Sequence, residues 1–79
     1  MENKWQILVV DDEDMIRTNL QAYLEDENYP VMVAESGEKA VEIVKLGLFT
    51  PDVAVVDMRL PNMDGNSVIL ALNELNPKI

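Results

Sequence analysis

Ile7-Leu8-Val9-Val10 is a continuous apolar run of β-forming residues with no polar alternation, the pattern of a strand covered on both faces and therefore of a parallel sheet. It stops abruptly at Asp11-Asp12. From Asp14 the spacing turns helical, with Ile16, Leu20, Tyr23 and Leu24 on one face, Arg17 and Gln21 off it, and Asn28-Tyr29-Pro30 closing the segment. Val31-Met32-Val33-Ala34 predicts a second short strand. Ser36-Gly37 then opens a helix that carries Ala40, Val41, Ile43 and Val44, with Ser36 as N-cap and Gly47 as terminator. Lys39 stands where a capping box would place an acid. Val53-Ala54-Val55-Val56 is a third strand run, ending in Asp57 as the first ended in Asp11-Asp12. A loop from Met58 to Gly65 leads to a last helix from about Asn66, with Val68, Ile69, Leu72 and Leu75 facing inward and Asn76-Pro77 as its stop.

Strand and helix thus alternate three times, which predicts an α/β fold with a parallel sheet and right-handed crossovers. No linker divides residues 1–79. Trp5, just before the first strand, is expected to pack at the bottom of the sheet, and Met15, Met32, Met58 and Met63 to fill core and loop gaps.

Composition narrows the function more than the fold. The 79 residues are 48% hydrophobic and 27% charged, as in one globular domain. Six Lys and Arg against fifteen Asp and Glu give a formal charge of −9, which argues against direct binding of nucleic acid or anionic lipid. Ten of the acids lie in residues 1–40. With neither cysteine nor histidine, any metal must be a hard cation held by oxygen, Mg²⁺ or Ca²⁺. No secretory leader is recognisable, and no apolar stretch approaches the roughly 18 residues of a membrane span, so a cytoplasmic location is expected. A chain this short buries only about 60 to 65% of its unfolded surface and is marginally stable alone.

The candidate chemistry lies at the strand ends. In an open α/β sheet the ligand crevice lies outside the carboxyl ends of the strands, where Asp11, Asp12 and Asp57 stand. Taken singly, Asp11 or Asp12 reads as a helix-opening acid and Asp57 as a turn residue. An acidic pair ending one buried strand and a lone Asp ending another tips the balance. If the first and third strands are neighbours, the three carboxylates converge with no basic side chain to offset them, and a divalent cation is the economical occupant. Mg²⁺ suits the set better than Ca²⁺, because a few carboxylates plus waters and a phosphate complete its octahedron.

Four stretches now acquire a common meaning: Leu8-Val9-Val10-Asp11-Asp12-Glu13, Ser36-Gly37-Glu38-Lys39-Ala40, Pro51-Asp52-Val53 leading into Val55-Val56-Asp57-Met58, and Leu60-Pro61-Asn62-Met63-Asp64-Gly65. In order and spacing the chain resembles the receiver domains of bacterial two-component response regulators. The resemblance implies a flavodoxin-like fold with strand order 2-1-3, in which residues 1–79 form the first three of five strand-helix units, a single partial receiver domain. It further implies that Asp57 is the phosphoacceptor, that Asp12 binds Mg²⁺ directly and Asp11 through water, that Asp57 and the backbone carbonyl of Arg59 complete the protein ligands, and that Pro61 and Gly65 shape the loop. By the same resemblance the phosphodonor is a sensor histidine kinase or a small acyl phosphate, and the module is not an enzyme. The hydroxyl residue ending the family's fourth strand and the lysine ending its fifth have no counterpart before Ile79, which predicts that this chain is phosphorylated slowly or not at all.

Two other readings compete. An interaction module without catalysis would pair through the open edge of the third strand or through a bare sheet face, as a homodimer. A haloacid-dehalogenase-like phosphatase also opens with a strand ending in Asp-x-Asp, which Asp12-Glu13-Asp14 imitates; Met15 stands where that family prefers Thr or Val. An EF-hand fails, because the loop from Asp12 has Arg17 at its sixth position instead of glycine.

Overall fold

Each of the three apolar runs forms a strand, and a helix follows each strand. In the computed structural model, which describes residues 5–79, the order is β1 (Ile7–Val10), α1 (Asp14–Asp26), β2 (Val31–Ala34), α2 (Gly37–Lys45), β3 (Val53–Val56) and α3 (Gly65–Leu75). The strands are parallel, in the expected order β2-β1-β3. All four residues of the central β1 are buried, which is why its run shows no polar alternation.

Side chains alternate between the faces of a strand, so the sheet has two distinct covers. On one face Leu8, Val10, Ala34, Ala54 and Val56 join Ala40 and Ile43 of α2 and Val68 and Leu72 of α3 in the main core, and α2 and α3 touch each other. On the other face lie Ile7, Val9, Val53 and Val55, and here α1 is the cover. It meets β1 and β2 but does not reach β3, so Val9 is buried while its register partner Val55 is 43% exposed.

The helix ends follow local chemistry. Ser36 Oγ accepts the Lys39 N–H at 3.1 Å, the expected cap of α2. Asp64 caps α3, its Oδ1 accepting the Ser67 N–H at 2.8 Å, and this moves the helix start one residue ahead of the expected Asn66. α1 and α2 stop alike. Asn28 at φ 70° and Gly47 at φ 72° take the left-handed conformation, and Tyr29 N–H bonds Leu24 O as Leu48 N–H bonds Ile43 O, both at 3.0 Å. These are two Schellman closures, with Asn and Gly where a side chain at positive φ is least strained.

Several expectations about side-chain direction need correcting. The inward stripe of α1 is Arg17, Leu20, Gln21 and Leu24, while Ile16 and Tyr23 are exposed. Arg17 turns inward to the end of β1, a contact described below. On α3, Val68 and Leu72 are buried but Ile69 and Leu75 are exposed, because the stripe that meets α2 and the sheet is narrow. Trp5 is 64% exposed, since the core does not extend below β1 to meet it. Met32 and Met63 do pack against the core, whereas Met15 and Met58 face solvent.

Candidate functional site

The register of the sheet builds the site. Val10 pairs with Ala34 on one side and Val56 on the other, so the residues following Val10 and Val56, Asp11 and Asp57, emerge side by side. Both remain tied to the ladder: Asp11 N–H bonds Ala34 O at 3.1 Å, and Asp57 N–H bonds Val10 O at 2.9 Å. Asp12 follows on the β1–α1 loop. One carboxylate oxygen from each of Asp11, Asp12 and Asp57 lies within 4.8 Å of the others, with Asp11 buried, Asp57 half-buried and Asp12 exposed. The convergence expected from the strand ends is therefore present.

The carboxylates are oriented by nearby amides. Asp11 Oδ1 accepts the Glu13 N–H at 2.9 Å, and Asp57 Oδ1 accepts the Arg59 N–H at 3.0 Å. Each acid thereby keeps a second oxygen for the shared space. The Arg59 amide also holds that residue's backbone against Asp57, which the proposed role of its carbonyl requires. Three carboxylates this close repel one another, and a hard divalent cation is the group that converts the repulsion into binding. The donor set, oxygen alone with one face open to water, fits Mg²⁺.

The loop after β3 closes tightly on the site. Gly65 N–H bonds Met58 O at 3.2 Å, and a Cβ at position 65 would lie 2.7 Å from Met58 Cα and 2.8 Å from the carbonyl oxygen of Asp57. Only glycine admits this approach. Pro61, at the turn of the same loop, is exposed. A surface cavity of about 480 Å³ along α2, lined by Val41, Leu46 and Met63 among others, includes none of the three carboxylates.

One participant was not expected. Arg17 reaches back across the first turn of α1, donating from Nη1 to the Asp11 carbonyl at 2.8 Å and from Nη2 to Asp14 Oδ1. A basic side chain thus does reach the acidic loop, though it is committed to a backbone oxygen and to an acid outside the trio. Sequence reasoning placed Arg17 on the solvent face because its spacing falls beside the apolar stripe. The available signal was its position three residues after Asp14, an i,i+3 ion-pair spacing. Asp64 was likewise overlooked as a cap, and the hydrogen bonds it accepts, chiefly from the Ser67 backbone N–H, hold its carboxyl below the usual range.

Known proteins resemble this chain in sequence and fold. Residues 7–79 match the response regulator receiver domain family. The chain is 44% identical over 69 residues to the alkaline phosphatase synthesis transcriptional regulatory protein PhoP of Bacillus subtilis, covering 87% of this chain and 28% of that protein. It is 39% identical over 71 residues to a cyclic di-GMP phosphodiesterase of Thermotoga maritima, covering 90% of this chain and 18% of that protein. Among solved structures, a CheY-like response regulator receiver domain protein from Methanospirillum hungatei JF-1 superposes with a TM-score of 0.87 at 27% identity, over 95% of this chain and 58% of that one. The chain therefore spans less than a third of these two curated relatives and just over half of the structural one.

Proposed function

The chain belongs to the response regulator receiver domain family, the phosphoacceptor modules of two-component signalling, and from that premise we propose that Asp57 is the residue phosphorylated. The observation that carries the assignment is the convergence of Asp57 with Asp11 and Asp12 at the in-register ends of β3 and β1. Asp57 Oδ1 accepts the Arg59 N–H, and a carboxylate oxygen of Asp57 is the attacking atom. It forms a bond to phosphorus as the donor's phosphorus–nitrogen bond breaks, and the histidine of a sensor kinase leaves and takes up a proton. The product is an acyl phosphate on Asp57. A small acyl phosphate is an alternative donor, its carboxylate departing instead.

Asp11, Asp12 and Asp57, with the backbone carbonyl of Arg59, are the residues that would hold Mg²⁺. The cation supplies charge neutralisation between the attacking carboxylate and the phosphoryl oxygens, the largest requirement of such a transfer. The module takes up and gives up phosphate without turning over a substrate of its own, and in that sense is no enzyme. We place it in the cytoplasm, as a single partial receiver over residues 1–79 that contacts no nucleic acid itself. Among the described residues no helix is long and apolar enough to cross a membrane.

The test is acetyl phosphate with Mg²⁺, followed by peptide mapping. Slow labelling confined to Asp57 and abolished by Asp57→Asn is expected. Labelling on Asp12 would overturn the assignment in favour of the phosphatase reading.

A further inference from the structure

Resting on the metal reading above, we propose that Arg17 is the positioning residue of the acidic pocket: by clamping the β1–α1 loop it sets how tightly Asp11 and Asp12 hold a divalent cation. Its side chain is only 16% exposed, although that of its acidic partner Asp14 is 90% exposed. An ion pair with so exposed a partner is worth little and does not by itself draw a guanidinium inward. The contact that does is with the carbonyl of Asp11, a neutral backbone oxygen where β1 passes into the β1–α1 loop. A charge-assisted hydrogen bond there is stronger than a neutral one, and the planar guanidinium can serve carbonyl and carboxylate together.

What the clamp holds follows from the loop's own bonds. Asp12 is exposed and sits at the apex of a three-residue bend, Asp11 to Glu13. On one side of Asp12, the Asp11 carbonyl is held by the Arg17 side chain. On the other side, the Glu13 carbonyl accepts the backbone N–H of the same Arg17 at 3.0 Å, and the Glu13 N–H returns to Asp11 Oδ1. A single residue therefore fixes both flanks of Asp12, and the Asp11 carboxylate closes the bend from within. Loss of the guanidinium leaves the helix bond intact but frees the Asp11 flank, so the Asp12 carboxylate samples a wider volume and the pocket is less well formed when a cation arrives. Groups that orient ligands in this indirect way typically change metal affinity by about 10- to 100-fold.

Charge alone makes the opposite prediction. Removing a cation near three carboxylates strengthens their pull on Mg²⁺, so the direction of change separates a clamp from a mere countercharge. Mg²⁺ titrations of the chain followed by amide NMR shifts are expected to show binding weakened by about 10-fold or more in Arg17→Gln. Arg17→Lys, which keeps the charge and the stem but cannot span both acceptors, is expected to fold and to bind less tightly than wild type. In the ion-free protein, exchange of the Glu13 amide is expected to quicken in both variants.

Tighter Mg²⁺ binding by Arg17→Gln, or wild-type affinity in Arg17→Lys, would overturn the clamp in favour of simple electrostatics. A lowered melting temperature with unchanged Mg²⁺ affinity and unchanged Glu13 exchange would overturn it in favour of a purely structural role. Binding lost in Asp12→Asn but kept in Arg17→Gln sinks only this inference. A wild-type chain that binds no Mg²⁺ sinks the metal reading and the clamp with it.

Discussion

Single residues decide whether the site is formed, and Gly65 shows how little room there is. Its hydrogen atom faces the backbone just beyond Asp57, so a methyl group there must displace either the start of α3 or the segment that carries Asp57. Gly65→Ala is expected to lower the melting temperature and to weaken Mg²⁺ binding as well, whereas a purely local helix effect would leave binding alone. Asp64, next to it, gives the same region a pH dependence. Its carboxylate form is favoured by the Ser67 N–H, so its folded-state pKa lies below its unfolded value of about 3.9. A depressed acid contributes stability that is fully present above the unfolded pKa and is lost as pH falls through the folded one. Melting temperatures measured downward from pH 5 are therefore expected to fall more steeply for wild type than for Asp64→Asn, which keeps a cap without the charge. Parallel curves would show that the cap does not titrate. The three carboxylates were legible in the sequence because they close apolar runs, Asp11 and Asp12 the first and Asp57 the third. Arg17 was not, since its direction depends on a carbonyl six positions earlier in the chain, which no periodicity reports.

At the scale of elements, strands and helices differ in how much of their structure is local. All three strands appear where their apolar runs lie, although only the central β1 is buried along its whole length. Helix limits were nearly as clear, set by Ser36, Gly47, Asn28 and Pro77. Helix orientation was not, because the face that turns inward depends on what it meets, and α1 meets only part of a sheet face. The caps of α2 provide a quantitative check. Ser36→Ala removes the hydrogen bond to Lys39 N–H and is expected to cost about 1 kcal/mol. Gly47→Ala, with open space around it but φ at 72°, is expected to cost about the same through backbone strain alone. Denaturant unfolding of the two variants measures both, and a neutral Gly47→Ala would show that the closure tolerates a Cβ.

For the molecule as a whole, the sheet is unevenly protected. Among the described residues β3 pairs only with β1, and the strip of Val53 and Val55 beside its other edge lies beyond the reach of α1. In the 79-residue chain on its own, an apolar edge of this kind invites pairing with a second copy. Gel filtration with light scattering at tens of micromolar is expected to find a dimer, which Val55→Lys should weaken without loss of helical circular dichroism. A cooperatively folding wild-type monomer would refute this.

α1 has no fully buried residue, whereas β1, on which it lies, has nothing else. Such a helix sits at the low end of the ladder of opening energies within one domain, and its amides should open in excursions that leave the sheet closed. Native-state hydrogen exchange is therefore expected to place α1 in a separate, earlier cooperative unit than β1. Because Arg17 travels with that unit, each excursion also releases the Asp11 carbonyl. The acidic loop would then exist in a held and a released form, exchanging at a rate set by a helix on the back of the sheet.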